Sequence, residues 1–361
     1  MAAFESPGVV PGSFPAFYEH LKDQLTFPLS WEKSRARSFR AWRRAARSKV
    51  EEFLIQPVDT TRFDPEIIDD QAADGHRRRS LVFNVTQYSR VHATMLLPNG
   101  PGPFPAVLLL HDHGSKFDIG KEKLIRPWYD DTRLESARSW ADEMYGGRFV
   151  GDELVARGYA VLCVDALGWG DRSGLSADGQ QALASNFFNL GSSMAGLVAR
   201  EDLRAAAFLA SLPEVDAKRI SAVGFSMGGF RAWQVAALSD HISAAVAVSC
   251  MTTVREMMVP SPFTDLGQSA FFMQHPGLNR HLDMPDVASI AAPKPLLFFN
   301  GEDDPAFAGA GVTAAYAKMR TVWASQRAAG HLGTKSWPGL GHVFAREMQD
   351  EAFAWLDRQG R

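Results

Sequence analysis

The sequence predicts an α/β fold with a mainly parallel central sheet and helices on both faces. Three observations carry this expectation. From Arg79 on, apolar runs of strand length alternate with stretches of helical period. The runs "AVLLL", "YAVLCV", "ISAAVAV" and "PLLFF" are continuous rather than alternating, as strands covered on both faces must be. The chain has 361 residues, 46% of them hydrophobic, which suffices to bury one large core or two modest ones.

Residues 1-78 read as a helical extension packed on the remainder, residues 79-361. Phe39, Trp42, Ala46, Val50, Phe53 and Leu54 recur at helical spacing. Arg40, Arg43, Arg44, Arg47 and Lys49 share that helix, but Glu51 and Glu52 follow at once. The basic residues therefore read as a solvated face, not as a nucleic-acid or membrane patch. This extension is also expected to pack over the functional site as a second lid.

"LVFNVTQYSRVHATMLLP" reads as two antiparallel strands, and "FPAVLLLHDHG" as the first buried parallel strand and its exit loop. "FVGDELVARG" is a helix and "YAVLCVDAL" a strand. "VAREDLRAAAFLASL" is a helix and "RISAVGF" a strand. "GGFRAWQVAALS" is a helix and "ISAAVAVSC" a strand. "KPLLFFNG" is a strand, "VTAAYAKMRTVWASQR" a helix, "TKSWPG" a short strand and "AREMQDEAFAWLDR" the closing helix. Two connections, about 116-148 and 252-292, exceed ordinary lengths and are candidate lids or pocket walls.

"RISAVGFSMGGFRAW" holds Gly224-Phe225-Ser226-Met227-Gly228, a G-x-S-x-G pattern between a predicted strand and a predicted helix. Such a turn projects the serine hydroxyl above the sheet, and side chains at Gly224 or Gly228 would crowd it. Ser249 also ends a strand but lacks flanking glycines. A serine hydroxyl needs a base to take its proton, and in this architecture the acid and then the base follow it in the chain. "NGEDDP" offers Asp304 at the end of a strand, with Asp303 as rival; "GLGHVF" offers His342. His331 precedes its strand and falls at the wrong end of the sheet. Activity on this reading falls once His342 is protonated.

The oxyanion of an acyl transfer needs backbone donors. Met227 N–H follows the nucleophile, and "HDHGSKF" supplies the second, with Ser115 N–H as the choice and Gly114 and Lys116 as neighbours in question. His111 and His113 in "HDHG" could instead suggest a metal pair. "GSKFD" follows where an H-x-H-x-D-H site needs Asp and His, so no metal is expected. "GWGDRSG" fails as a dinucleotide loop because its third glycine is misplaced and no helix opens there. His113, Met257, Met258, Phe263, Phe271, Phe272 and Met273 are candidates to wall an acyl or aryl pocket. For the residues from the second insertion, ordinary core is the alternative.

Together "HDHG…GKEK", "YGGR", "DALGWGDRSG", "LPEVDAKRISAVGFSMGG", "NGEDDP" and "GLGHVF" resemble the dienelactone-hydrolase-like and acetyl-xylan-esterase-like α/β-hydrolases, from Leu81 to Leu356. "PEVDAKRI" is also similar to the prolyl-oligopeptidase group, although nothing here is long enough for that group's propeller domain. The resemblance implies an α/β-hydrolase fold and a serine hydrolase. Dienelactone hydrolases proper use a cysteine where this chain has Ser226, so that same activity is not expected.

The expected function is cleavage of a small-molecule carboxylic ester, without a cofactor. Carbon–carbon bond or amide hydrolysis on the same residues, or a catalytically idle ligand-binding protein, are the alternatives. A net charge of −3 gives no pull toward nucleic acid or anionic lipid. No run spans a bilayer and the start lacks a signal-peptide pattern, so a soluble, cytoplasmic chain is expected. Cys163 and Cys250 lie in apolar runs and read as reduced core thiols. The oligomeric state, a homo-oligomer included, stays open.

Overall fold

The computed structural model describes residues 14–15, 17–258, 272–307 and 309–359. Its strands are β1 Glu66–Ala73, β2 His76–Thr86, β3 Ser89–Pro98, β4 Phe104–Leu110, β5 Ala160–Val164, β6 Val215–Phe225, β7 Ala244–Val248, β8 Leu296–Gly301 and β9 Leu332–Trp337. They form one sheet in the spatial order β1-β2-β3-β5-β4-β6-β7-β8-β9. The six strands from β5 to β9 in that order run parallel, while β1, β2 and β3 form an antiparallel edge joined to β5. After β4 the chain steps to β5 on one side and then crosses back to β6 on the other. This reversal opens a crevice at the C-terminal ends of β4 and β6, where ligands of open α/β sheets bind.

The described α-helices, in chain order, are α1 Tyr18–Lys22, α2 Phe39–Glu51, α3 Asp131–Met144, α4 Val150–Ala156, α5 Ala177–Asn186, α6 Met194–Ser211, α7 Met227–Leu238, α8 Val254–Met257, α9 Met284–Ser289, α10 Gly309–Ser325 and α11 Arg346–Gln359. Because successive strand residues point to opposite faces, each buried strand feeds two cores. Ala106, Leu108 and Leu110 of β4 pack with α2, α6, α7, α9 and α10, whereas Val107 and Leu109 pack with α3, α4 and α11. The expectation of a mainly parallel sheet with helices on both faces holds.

The N-terminal part matches its expectation in α2 and departs from it in β1. Trp42, Ala46 and Val50 do bury the predicted stripe of α2, with Leu54 buried just beyond its end, and Trp42 Nε1–H donates to Leu29 O at 2.7 Å. Residues 66–73, however, are not part of a helical extension but the edge strand β1. Glu66, Ile67 and Ile68 are exposed there, so no buried face imprints a pattern on the sequence. The basic face of α2 engages neighbours on the chain itself: Arg47 pairs with Asp240 at 3.1 Å and Lys49 with Glu52 at 2.7 Å. The first insertion contains a buried 3-10 turn, Lys121–Lys123, followed by α3. No helix among the described residues is long and apolar enough to cross a membrane.

Candidate active site

β6 ends at Phe225 and α7 begins at Met227, so Ser226 alone makes the turn. Its backbone sits at φ 56°, ψ −124°, a conformation that costs a side-chain-bearing residue energy and is kept only where the surroundings enforce it. The surroundings do so. A Cβ on Gly224 would stand 2.1 Å from Gly228 O, and one on Gly228 would stand 1.9 Å from Leu110 O. The turn thus presses helix and strand together, and Ser226 N–H donates to Val248 O at 2.8 Å. Met227 N–H is the first of α7 and has no intrahelical acceptor.

His342, on the loop between β9 and α11, reaches this turn. Its Nε2 is 2.9 Å from Ser226 Oγ, and its Nδ1 is 2.9 Å from Asp304 Oδ2. A carboxylate oxygen accepts, so Nδ1 carries the proton and Nε2 offers its lone pair to the serine O–H. Between the two candidate acids, burial and direction decide. Asp304 is buried and its second oxygen accepts from Ala306 N–H, whereas Asp303 is exposed. His331 lies at the opposite end of β9, its Nδ1 on Pro293 O, as expected. Ser249 also has a positive φ of 49°, but its Oγ is buried with no partner among the described residues.

The "HDHGS" loop follows β4 beside this turn. His111 is fully buried: its Nδ1–H donates to Asp112 O at 2.8 Å and its Nε2 accepts from Ala166 N–H at 3.0 Å. Both ring nitrogens are engaged, so it has no lone pair for a metal. Burial and the nearby charges of Arg231 and Lys123 hold its pKa well below the usual histidine value. The His113 ring meets those of Phe117, Trp169 and Phe272, with centroids 5.0–5.9 Å away. Burial, helped by the Lys123 charge, lowers the His113 pKa to about 4, so the ring is neutral near pH 7. Among the described residues no group of His, Cys, Asp and Glu is arranged to hold a metal.

A cavity of about 600 Å³ opens over Ser226 and His342 and is lined by His113, Ser115 and Phe117. Its far walls come from Trp140 and Glu143 of α3 and Asp178 and Gln181 of α5. Residues of the first insertion thus line this cavity. α5 was not legible, because its "ADGQQALASN" carries no clear apolar stripe. Of the aromatic and methionine candidates, Phe272 packs on His113 and Trp169. Met257 does not join this cavity: it lines a separate one of about 240 Å³, with Met258, Met273, Phe230 and Trp233. It is the last residue of α8. Phe263 and Phe271 fall outside the described residues. No described residue of the N-terminal part lines the Ser226 cavity, contrary to the second-lid expectation. Cys163 and Cys250 are free, buried thiols whose pKa burial pushes up, and neither stands on the turn.

The dienelactone hydrolase family profile matches residues 142–355. YtaP of Bacillus subtilis (strain 168), whose name says hydrolase and no substrate, is 30% identical over 251 residues, 69% of this chain and 77% of that protein. Among solved structures, a glucuronoyl esterase from Solibacter usitatus superposes with a TM-score of 0.65 at 14% identity, covering 99% of this chain and 98% of its own. Acetyl xylan esterase 1 from Thermoanaerobacterium sp. JW/SL YS485 superposes with a TM-score of 0.59 at 15% identity, covering 94% and 97%. At those identities the two structures speak for the shared α/β-hydrolase fold. The strand–serine–helix turn and the family match over more than half of the sequence agree, and the chain belongs to the dienelactone hydrolase family.

Proposed function

We propose that this chain is a serine esterase that hydrolyses a carboxylic ester through an acyl-enzyme. One observation carries the reading: Ser226 Oγ, His342 and Asp304 stand in a continuous relay of two 2.9 Å contacts, with the serine on a strained turn facing a cavity. In that relay His342 Nε2 takes the serine proton as Oγ attacks the ester carbonyl, and later returns it to the leaving alcohol. Asp304 holds the tautomer and offsets the imidazolium charge. Met227 N–H and Ser115 N–H receive the oxyanion, and water then attacks the acyl-serine by the same route.

The cavity suits a small ester whose alcohol carries hydroxyls. Glu143, Asp178 and Gln181 offer acceptors at its wall, and Phe117 and Trp140 offer flat apolar faces. Acetylated and uronic-acid-esterified sugars, the substrates in the names of the fold neighbours, are the first esters to test. Labelling with a fluorophosphonate probe tests the chemistry. The folded wild type should label once, Ser226→Ala should not label, and its kcat should fall about 10⁴-fold or more. An unlabelled folded wild type, or equal labelling of the Ala variant, would refute the reading.

A further inference from the structure

The 3-10 turn Lys121–Lys123 buries three consecutive charged side chains, and the esterase chemistry above does not use them. Lys123 lies directly under the "HDHGS" loop. Its Nζ donates to His113 O at 2.8 Å and to Asp112 Oδ1 at 3.2 Å, and stands 3.4 Å from Asp112 O. Trp169 Nε1–H donates to the same His113 O at 2.6 Å. Two residues earlier, Arg231 Nη1–H donates to His111 O at 3.2 Å. Three successive carbonyls are thus held from the core side by cations or an indole.

A trans peptide points its C=O and the following N–H in opposite directions. With His113 O turned toward Lys123, Gly114 N–H points away from it, and the turn presenting Ser115 N–H has a fixed start. The contact is close. Gly114 has φ 47°, and a Cβ there would stand 2.8 Å from Lys123 Nζ and 2.4 Å from the Trp140 ring. Asp112 is the counterion that keeps an ammonium in this position. Tyr145 O–H and Trp140 Nε1–H donate to its other oxygen at 2.6 and 3.1 Å.

We propose that Lys123 is a positioning residue of the oxyanion loop. Its buried ammonium fixes the peptides 112–114 and sets a positive charge beneath the loop, where the ester oxygen turns negative above it. Such a charge stabilises the tetrahedral state more than the neutral ester, so it acts on kcat rather than on KM. The proposal rests on the esterase reading. The rival explanation is that Lys123 only neutralises Asp112.

The test compares the wild type with Lys123→Met and with the double variant Asp112→Asn/Lys123→Met, which leaves no unpaired buried carboxylate. Active sites are counted by end-point fluorophosphonate labelling. Turnover of p-nitrophenyl acetate and inhibition by a trifluoromethyl ketone, which forms a tetrahedral adduct, are then measured per site. The expected result is a fall in kcat of about 30- to 300-fold in both variants, with KM within threefold. The ketone's inhibition constant should rise by the same factor as kcat/KM falls. Recovery of kcat and ketone affinity in the double variant would overturn the proposal, because neutralising Asp112 would then be the whole role. Unchanged per-site kcat in Lys123→Met, with lowered thermal stability only, would overturn it too. A wild type that neither turns over the ester nor binds the ketone would remove the esterase reading and this proposal with it.

Discussion

Backbone and packing together place Ser226 and His342: the imidazole stacks on Phe307 and lies against Phe225. Gly224 and Gly228 let helix and strand approach, and the loop after β9 carries the imidazole to the serine. The cavity beside them bears the carboxylates of Glu143 and Asp178, and no lysine or arginine is among its described lining residues. Like charges facing each other across a site are unfavourable. A neutral ester such as p-nitrophenyl butyrate should therefore exceed the anionic mono-p-nitrophenyl glutarate in kcat/KM by about tenfold or more. The neutral-to-anionic ratio should shrink in Glu143→Gln/Asp178→Asn and in high salt. At this scale the sequence was informative where chain order restricts chemistry. Ser226, then an acid, then His342 could be read directly. Asp304 is buried against His342 and Asp303 is exposed, a difference that two adjacent letters do not encode. Met257 lines a different cavity, because a methionine in a long insertion does not reveal which cavity it borders.

At the scale of elements, the crevice between β4 and β6 follows from strand order, and both loops proposed for catalysis leave the sheet there. The central strands were legible because burial on both faces demands continuous apolar runs. β1 and α5 were not, since an exposed acidic edge strand and a helix of mixed composition bury too little to leave a period. Helix α2 is the reverse case: its stripe was clear, but the stripe does not say what it packs against. It docks on the α7 and α9 face and does not line the Ser226 cavity. Trp42→Ala should accordingly destabilise the fold by about 3–5 kcal/mol in chemical denaturation. Per-site kcat measured on the folded fraction should stay within about twofold of wild type, as expected for distant independent sites. A selective loss of kcat would instead give α2 a place at the site.

Across the whole molecule, stability depends on keeping buried histidines neutral. His275 is buried under α7, in contact with the Gln234 side chain and 3.4 Å from Ser193 Oγ. Burial lowers its pKa to about 4 from an ordinary 6.5. Above pH 6.5 both folded and unfolded chains hold it neutral. Between pH 6.5 and 4 only the unfolded chain takes up the proton, so this contribution to stability is lost as pH falls. The stability difference between wild type and His275→Gln should therefore shift by about 3 kcal/mol against the wild type from pH 7 to pH 4. A pH-independent difference would place the ring in water.

Whether Ser226 carries the acyl group is read by rapid acid quench of wild-type enzyme turning over p-nitrophenyl acetate, followed by peptide mass mapping. An acetyl group is expected on the peptide containing Ser226 during turnover, absent from Ser226→Ala, together with loss of turnover in that variant. Steady turnover with no acyl group on that peptide, or turnover undiminished in Ser226→Ala, would contradict that role of Ser226.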